Sequence, residues 1–198
     1  MSTVEADWLA QALAGDDYAF AQLVEQYQRP VYNLCYRMLN DPYEAEDAAQ
    51  ETFLRAYKAL NRYDPQRSFI TWLLSIASHH CIDKIRRRRM QLVPIDSLPG
   101  EAIPDPAVSP ETALRIGEDQ QQVQELLKTL NPTDRSAVIL YYWYEYSYEE
   151  IAETLSLTIS AVKSRLHRAR KALAEAWQKK QAGAETAVKR KHHESPAF

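Results

Sequence analysis

Glycine is scarce in this 198-residue chain, with only 4 residues. β-rich folds need frequent turn residues, so the scarcity argues for helices. Cysteine is scarcer still. Cys35 and Cys81 are the only two, each lies inside a helical pattern, and they form neither a disulfide framework nor a CxxC metal signature. Such usage suits a reducing compartment, the cytoplasm. No apolar run approaches the roughly 18–20 residues that a membrane-spanning helix needs. The opening segment, MSTVEADWLAQALAGDD, is acidic and mixed, without the basic stretch and apolar core of a secretory signal. Direct membrane insertion is not expected, although a membrane-anchored partner stays compatible with these features.

An overall excess of positive charge is also missing, since the net charge is -3. The average conceals segregation. Residues 91–125 carry seven acids against the single base Arg115, which leaves the rest of the chain at +3. Basic residues then gather at Lys84–Arg89 and Lys163–Lys171. Distribution rather than total charge is the footprint of a nucleic-acid binder. With 45% hydrophobic and 26% charged residues, the chain has the composition of a globular protein.

The apolar pattern predicts an all-α protein of two small helical domains. Residues 1–14 read as a short helix. Phe20, Leu23, Val24, Tyr27, Val31, Leu34, Cys35 and Met38 recur at three- and four-residue spacing, the stripe of an amphipathic helix. Pro30 inside it is expected to kink or divide the helix. Asn40-Asp41-Pro42 is a turn, 45–60 a second long helix, NRYDPQR (61–67) a loop, and 68–90 a third helix ending in four arginines. Five prolines between positions 92 and 110 cannot propagate a helix, which predicts an extended acidic linker. Helix resumes over 111–130, breaks at Asn131-Pro132, and continues over 135–144, 148–155 and from 159 or 160 to about 179. The expected domains are 1–92 and 123–180, joined by a linker over 93–122, with 181–198 a frayed tail.

Three segments carry candidate chemistry. In SYEEIAETLSLTISAVKSRLHRAR (147–170), a short helix holding Ile151, Ala152 and Leu155 is followed by a tight turn and a second helix that buries Val162 and Leu166. This is the helix-turn-helix layout, whose second helix enters the major groove. Ser160, Lys163, Ser164, His167, Arg168 and Lys171 then face outward, where they can donate to phosphates or base edges. The alternative is a helical hairpin with a solvated basic face. In SFITWLLSIASHHCIDKIRRRR (68–89), the aromatics Phe69 and Trp72 precede Lys84, Arg86, Arg87, Arg88 and Arg89. Aromatics beside a basic helix end suit single-stranded DNA, and a core helix with a solvated end explains the pattern equally well. In DAAQETFL (47–54), Asp47, Gln50, Glu51 and Leu54 share one helix face. That face suits docking on a basic protein helix, or it is simply solvated.

In this order, the segments resemble the extracytoplasmic-function sigma factors, which retain only sigma regions 2 and 4. DAAQETF resembles region 2.2, NRYDPQRSFITWLLSIASHHCIDKIRRRR regions 2.3 and 2.4, and LLKTLNPTDRSAVILYYWYEYSYEEIAETLSLTISAVKSRLHRARKAL region 4. The resemblance implies an alternative sigma factor without cofactor, metal or catalytic site of its own. It implies that Asp47, Gln50, Glu51 and Leu54 meet the β′ clamp of core RNA polymerase, with the β flap as a further contact. It implies that promoter −10 DNA is held by Asn61, Arg62, Tyr63, Asp64, Arg67, Phe69, Trp72, His79, Lys84, Arg86, Arg87 and Arg88, and that the helix-turn-helix reads the −35 element. An anti-sigma factor is a further implied partner. The sequence departs from the family at Ser78-His79, where the family often ends in Asn, so the −10 base preference is expected to follow His79.

Two other readings bear on the same residues. His79, His80, Cys81 and Asp83 invite a metal site, but adjacent His79 and His80 point about 100° apart on a helix. A helix-turn-helix regulator acting without polymerase would explain the second domain and leave Asp47, Gln50, Glu51, Trp72 and the arginines without a role.

Overall fold

The computed structural model describes the backbone of residues 3–91 and 120–193. The expected Pro-rich linker lies almost wholly outside the described residues, and 120–122 are already helical.

Caps and prolines set the helix boundaries in the first half. α1 (Thr3–Leu13) ends at Gly15, whose φ of 96° lets the chain reverse. The Asp16 carboxylate then accepts from the amides of Tyr18 and Ala19 and starts α2 (Asp17–Leu39). α2 stops at Asn40 in the left-handed conformation. Asp41 caps α3 (Pro42–Ala59) by accepting from the Glu44 amide at 2.9 Å, and Pro42 occupies the first turn, where its missing N–H costs nothing. One 3-10 turn, Leu60–Arg62, leads to the loop. α4 (Phe69–Gln91) follows, with the Trp72 amide bonded to the Ser68 carbonyl.

Pro30 does not divide α2, which runs unbroken from Asp17 to Leu39. Val31, Leu34, Cys35 and Met38 beyond it are fully buried. Continuous burial of one face outweighs the roughly 3 kcal/mol that an interior proline costs.

α2 packs on α1, α3 and α4, and α3 packs on α4. Ala45, Ala48, Ala49 and Ala56 on the buried face of α3 permit close approach. Leu23, Leu34, Met38, Phe69, Leu73 and Leu74 fill the centre with no exposed surface. Cys35 and Cys81 are buried, free thiols. The neighbouring Cys35 thiol, together with burial, pushes the Cys81 thiol up.

In the second half, α5 (120–128) leads to Asn131, whose side chain caps α6 (Pro132–Trp143) by accepting from the Asp134 amide. Ser147 and Glu150 form a reciprocal capping box at the start of α7 (Tyr148–Thr154). Ser156, with φ 54°, turns the chain. The Thr158 hydroxyl accepts from the Ala161 amide at the start of α8 (Ile159–His193). The frayed tail expected from 181 onward is not what the backbone does: it stays helical to His193. Ala182, Ala184 and Ala187, with Lys and Glu around them, are strong helix formers that offset Gly183. Residues 194–198 lie outside the described residues.

Candidate promoter and polymerase surfaces

α7 and α8 form the helix-turn-helix. Ile151 and Leu155 of α7 and its turn meet Val162, Leu166 and Ala169 of α8, all of them buried. Burying a Val or Leu side chain contributes roughly 1.5–3 kcal/mol, so this seam fixes the rotation of α8. That rotation decides what faces outward. Ser160, Lys163, Ser164, His167, Arg168 and Lys171 are all exposed and span an arc of about 140° at about 100° per residue. Three of the basic side chains around this arc are held from below. The Lys163 ammonium lies 5.8 Å from the centre of the Tyr148 ring. Arg170, beside it on the helix, sits 5.3 Å from the Tyr141 ring centre and donates Nε–H to the Tyr142 hydroxyl at 3.0 Å. On the other edge, the Asp134 carboxylate accepts from Arg165 at 2.7 Å.

The second surface is formed by the loop and α4. Asn61, Arg62, Asp64, Arg67, His79, Arg86, Arg87 and Arg88 are exposed, as the sequence suggested. Tyr63 and Phe69 are different. Both are buried, with their ring centres 5.4 Å apart edge to face, and the Tyr63 hydroxyl donates to the Arg67 carbonyl. Neither ring can stack on a base as it stands; together they pin the loop to the core. Trp72 is half-buried against both and is the one aromatic of the three with a face left over. His79 Nδ1 lies 2.8 Å from the Ser75 carbonyl of its own helix, which directs the ring outward along α4. Lys84 and Arg88 are tied to α3: Lys84 donates to Asp47 at 2.8 Å, and Arg88 pairs with Glu44.

The third surface is α3. Asp47, Gln50 and Leu54 are exposed and Glu51 is partly so. They do form one face, but its acids are already paired. Lys84 holds Asp47 by hydrogen bond and charge, drawing its carboxyl below the usual range. Arg55, 2.7 Å from Glu51, does the same there. Under this face lies His80, whose Nε2 is buried without a hydrogen-bond partner. Burial, then Arg55, lower its pKa against the opposing pull of Glu51. Among the described residues no group of three or more His, Cys, Asp or Glu side chains could hold a metal ion.

The two halves touch, which helix periodicity alone does not announce. They share one core and a polar seam. Arg135, 5% exposed, donates to the Met38 carbonyl at 2.6 Å. Met38 lies in the last turn of α2, where carbonyls lack helical partners and the dipole favours a cation. Burial lowers the Arg135 pKa to about 10, and its Nε finds no partner. The Tyr144 hydroxyl donates to the Pro30 carbonyl at 2.5 Å, and the Tyr146 hydroxyl lies 3.2 Å from that of Thr71. Arg67 pairs with Glu153 at 3.1 Å, Arg86 donates to Thr133 at 3.3 Å, and Arg37 lies over the Trp143 ring. Two arginines of the second surface thus also bond to the helix-turn-helix half while remaining largely exposed. The signal that could have revealed the seam is Asp134-Arg135 standing inside an otherwise apolar helix, PTDRSAVIL.

A helix-turn-helix with an exposed basic helix, joined to a helical bundle with separate acidic and basic faces, defines a DNA-binding protein built to meet a second macromolecule. Comparison with known proteins narrows the class. Residues 23–90 match the Sigma-70 region 2 family and residues 120–173 the Sigma-70 region 4 family. The chain is 37% identical over 172 residues to the ECF RNA polymerase sigma factor SigW of Bacillus subtilis, covering 83% of this chain and 92% of that one. It is 33% identical over 171 residues to the RNA polymerase sigma-H factor of Pseudomonas aeruginosa, covering 83% and 89%. Among solved structures it resembles CnrH in complex with the cytosolic domain of CnrY, with a TM-score of 0.66 and 26% identity over 88% of this chain and 97% of that one. The fold is shared with the sigma factor RpoE of Bartonella quintana, solved with the anti-sigma factor NepR, with a TM-score of 0.64 and 24% identity over 80% and 96%. The chain belongs to the extracytoplasmic-function sigma factors of the sigma-70 family, and its function is promoter-specific transcription initiation.

Proposed function

We propose that this sigma factor divides its work among the three surfaces. The exposed arc of α8, with Ser160, Lys163, Ser164, His167, Arg168 and Lys171, reads the −35 element as duplex. Asn61, Arg62, Asp64, Arg67, Trp72 and His79 receive the opened −10 strand, with Lys84 and Arg86–Arg88 on its backbone. Asp47, Gln50, Glu51 and Leu54 dock on the β′ clamp of core RNA polymerase, and the β flap meets the second half. The factor acts in the cytoplasm and contributes no catalytic group of its own. Residues 93–122 serve as a tether. A protein partner of the anti-sigma type belongs to the same proposal; CnrH, which this chain resembles, was solved in complex with the cytosolic domain of a second protein, CnrY.

The observation that carries this reading is that α8 buries Val162, Leu166 and Ala169 and thereby exposes all six candidate −35 side chains at once. A regulator that works without polymerase would use α8 in the same way, but it would have no use for the face of Asp47, Gln50, Glu51 and Leu54.

The closed arrangement cannot serve both promoter elements. They are named for positions about 25 base pairs apart, which at 3.4 Å per base pair is roughly 85 Å. Here Thr71 and Tyr146, one from each half, are 3.2 Å apart. Initiation therefore requires the halves to separate. The test is reconstitution with core polymerase on a promoter library, with the transcripts sequenced. Start sites sharing two elements at fixed spacing support the proposal. DNA binding without transcription would favour the polymerase-free regulator.

A further inference from the structure

Asp134 stands in the first turn of α6, where the helix dipole favours a carboxylate. It is 4% exposed, and both its oxygens are used. Oδ2 accepts from Asn131 Nδ2 at 2.5 Å. Oδ1 accepts from Arg165 Nη1 at 2.7 Å and lies 3.9 Å from Arg168 Nη2. Arg165 occupies the shoulder of α8, between the buried stripe and the exposed arc, and its side chain is 28% exposed. Arg168 belongs to the arc itself and is largely in solvent.

We propose that Asp134 is a positioning residue for −35 recognition, setting the pose and effective charge of Arg165 and Arg168. The inference rests on α8 being the reading helix. A free arginine carries about 2 kcal/mol of rotamer entropy, some of which is lost on binding DNA. A guanidinium already fixed by a buried carboxylate has lost much of that freedom during folding. Its remaining N–H groups point in set directions, so it meets a phosphate or base edge in one register only. The same carboxylate offsets one positive charge at the DNA surface. It therefore weakens attraction to any phosphate while preserving contacts that depend on register. Asp134 thus trades general affinity for discrimination between sequences.

Asp134→Asn keeps the size of the side chain and removes the charge. The measurement uses holoenzyme on two fragments with the same −10 element. One carries a −35 element selected by the holoenzyme from the promoter library, the other a scrambled −35. For Asp134→Asn, affinity for the scrambled fragment should rise, the preference for the selected fragment should fall about fivefold or more, and the slope of log K against log salt should steepen by about 0.9. Asp134→Glu, which restores the carboxylate, should return the slope to the wild-type value. A purely structural Asp134 would lower thermal stability and weaken both fragments alike, with the slope unchanged, and that result overturns the proposal. If Asp134→Asn does not fold, Arg165→Gln decides: it should weaken the selected fragment and leave the scrambled one nearly unaffected, and equal loss on both overturns the proposal. Wild-type holoenzyme that shows no preference between the fragments, or Lys163→Ala and Arg168→Ala without effect on it, would instead overturn the assignment of α8 as the reader.

Discussion

Replacing Tyr144 and Tyr146 together with Phe should make the protein bind core polymerase more tightly. Each substitution keeps the ring and removes one hydroxyl from the seam between the halves. Tyr144 loses its 2.5 Å bond to the Pro30 carbonyl, and Tyr146 its 3.2 Å contact with Thr71. A single hydrogen bond contributes about 1 kcal/mol net. The two partners lie on different helices, α2 and α4, so the losses should nearly add, although the Tyr144 and Tyr146 rings are 6.2 Å apart and can couple. The closed form then loses about 2 kcal/mol, roughly thirtyfold in its ratio to the open form. If polymerase on a promoter takes only the open form, as proposed above, its apparent affinity is the intrinsic affinity multiplied by the fraction that is open. Titration of core enzyme with the double variant should show Kd falling by up to about thirtyfold. Distances between spin labels at exposed Glu46 on α3 and Glu175 on α8 should lengthen in parallel. A folded double variant with unchanged or weaker core affinity would show that closure does not compete with polymerase.

Other outcomes follow from the same geometry. Asp47→Lys with Glu51→Lys should weaken core binding at least tenfold in a pull-down titration, while exposed α8 keeps its DNA contacts; full retention of core affinity would remove α3 from the polymerase interface. His79→Asn should change the preferred base at one −10 position in transcription across all four bases, with −35 preference intact; an identical base profile would rule His79 out as a selector. His80 gives a pH dependence. Its folded pKa is depressed, chiefly by burial, with Arg55 and Lys84 adding to the shift and Glu51 and Asp47 opposing it. The unfolded chain therefore takes up more protons as pH falls through about 6.5, and stability falls with it. His80→Gln should flatten urea midpoints between pH 7.5 and 5.5, and a slope equal to wild type would exclude His80 as its source.

The helices were readable because their ends and faces are written locally. Asp16, Asp41, Asn131 and Ser147 cap in the positions that their side-chain chemistry suits, and the stripe from Phe20 to Met38 is buried as its spacing requires. The arc of α8 was readable for the same reason, since Val162 and Leu166 determine it. Pro30 leaves α2 undivided because a local rule met a stronger tertiary one. Tyr63 and Phe69 were misread because an aromatic beside a basic run looks the same whether its ring faces DNA or the core; only three-dimensional packing separates the two. The partners across the seam were not readable, since Arg135 and Met38 are 97 positions apart and no periodicity links them; the charged pair Asp134-Arg135 in an apolar helix is the one local hint.

The Asn131–Arg135 turn ties these points together. Asp134 and Arg135 are neighbours in sequence, and on a helix their side chains diverge by about 100°. One points to α8 and holds Arg165; the other points to α2 and holds the Met38 carbonyl. Thr133, on the same turn, meets Arg86 of α4. Separation of the halves breaks the bonds of Arg135 and Thr133 and frees the Arg86 guanidinium for the proposed −10 contact. The bond from Asp134 to Arg165 lies entirely within the second half and survives separation. Under the proposed separation, opening changes which surfaces are available without changing the pose of α8, and the turn that helps to fasten the closed form also keeps Arg165 of α8 in place once that form is released.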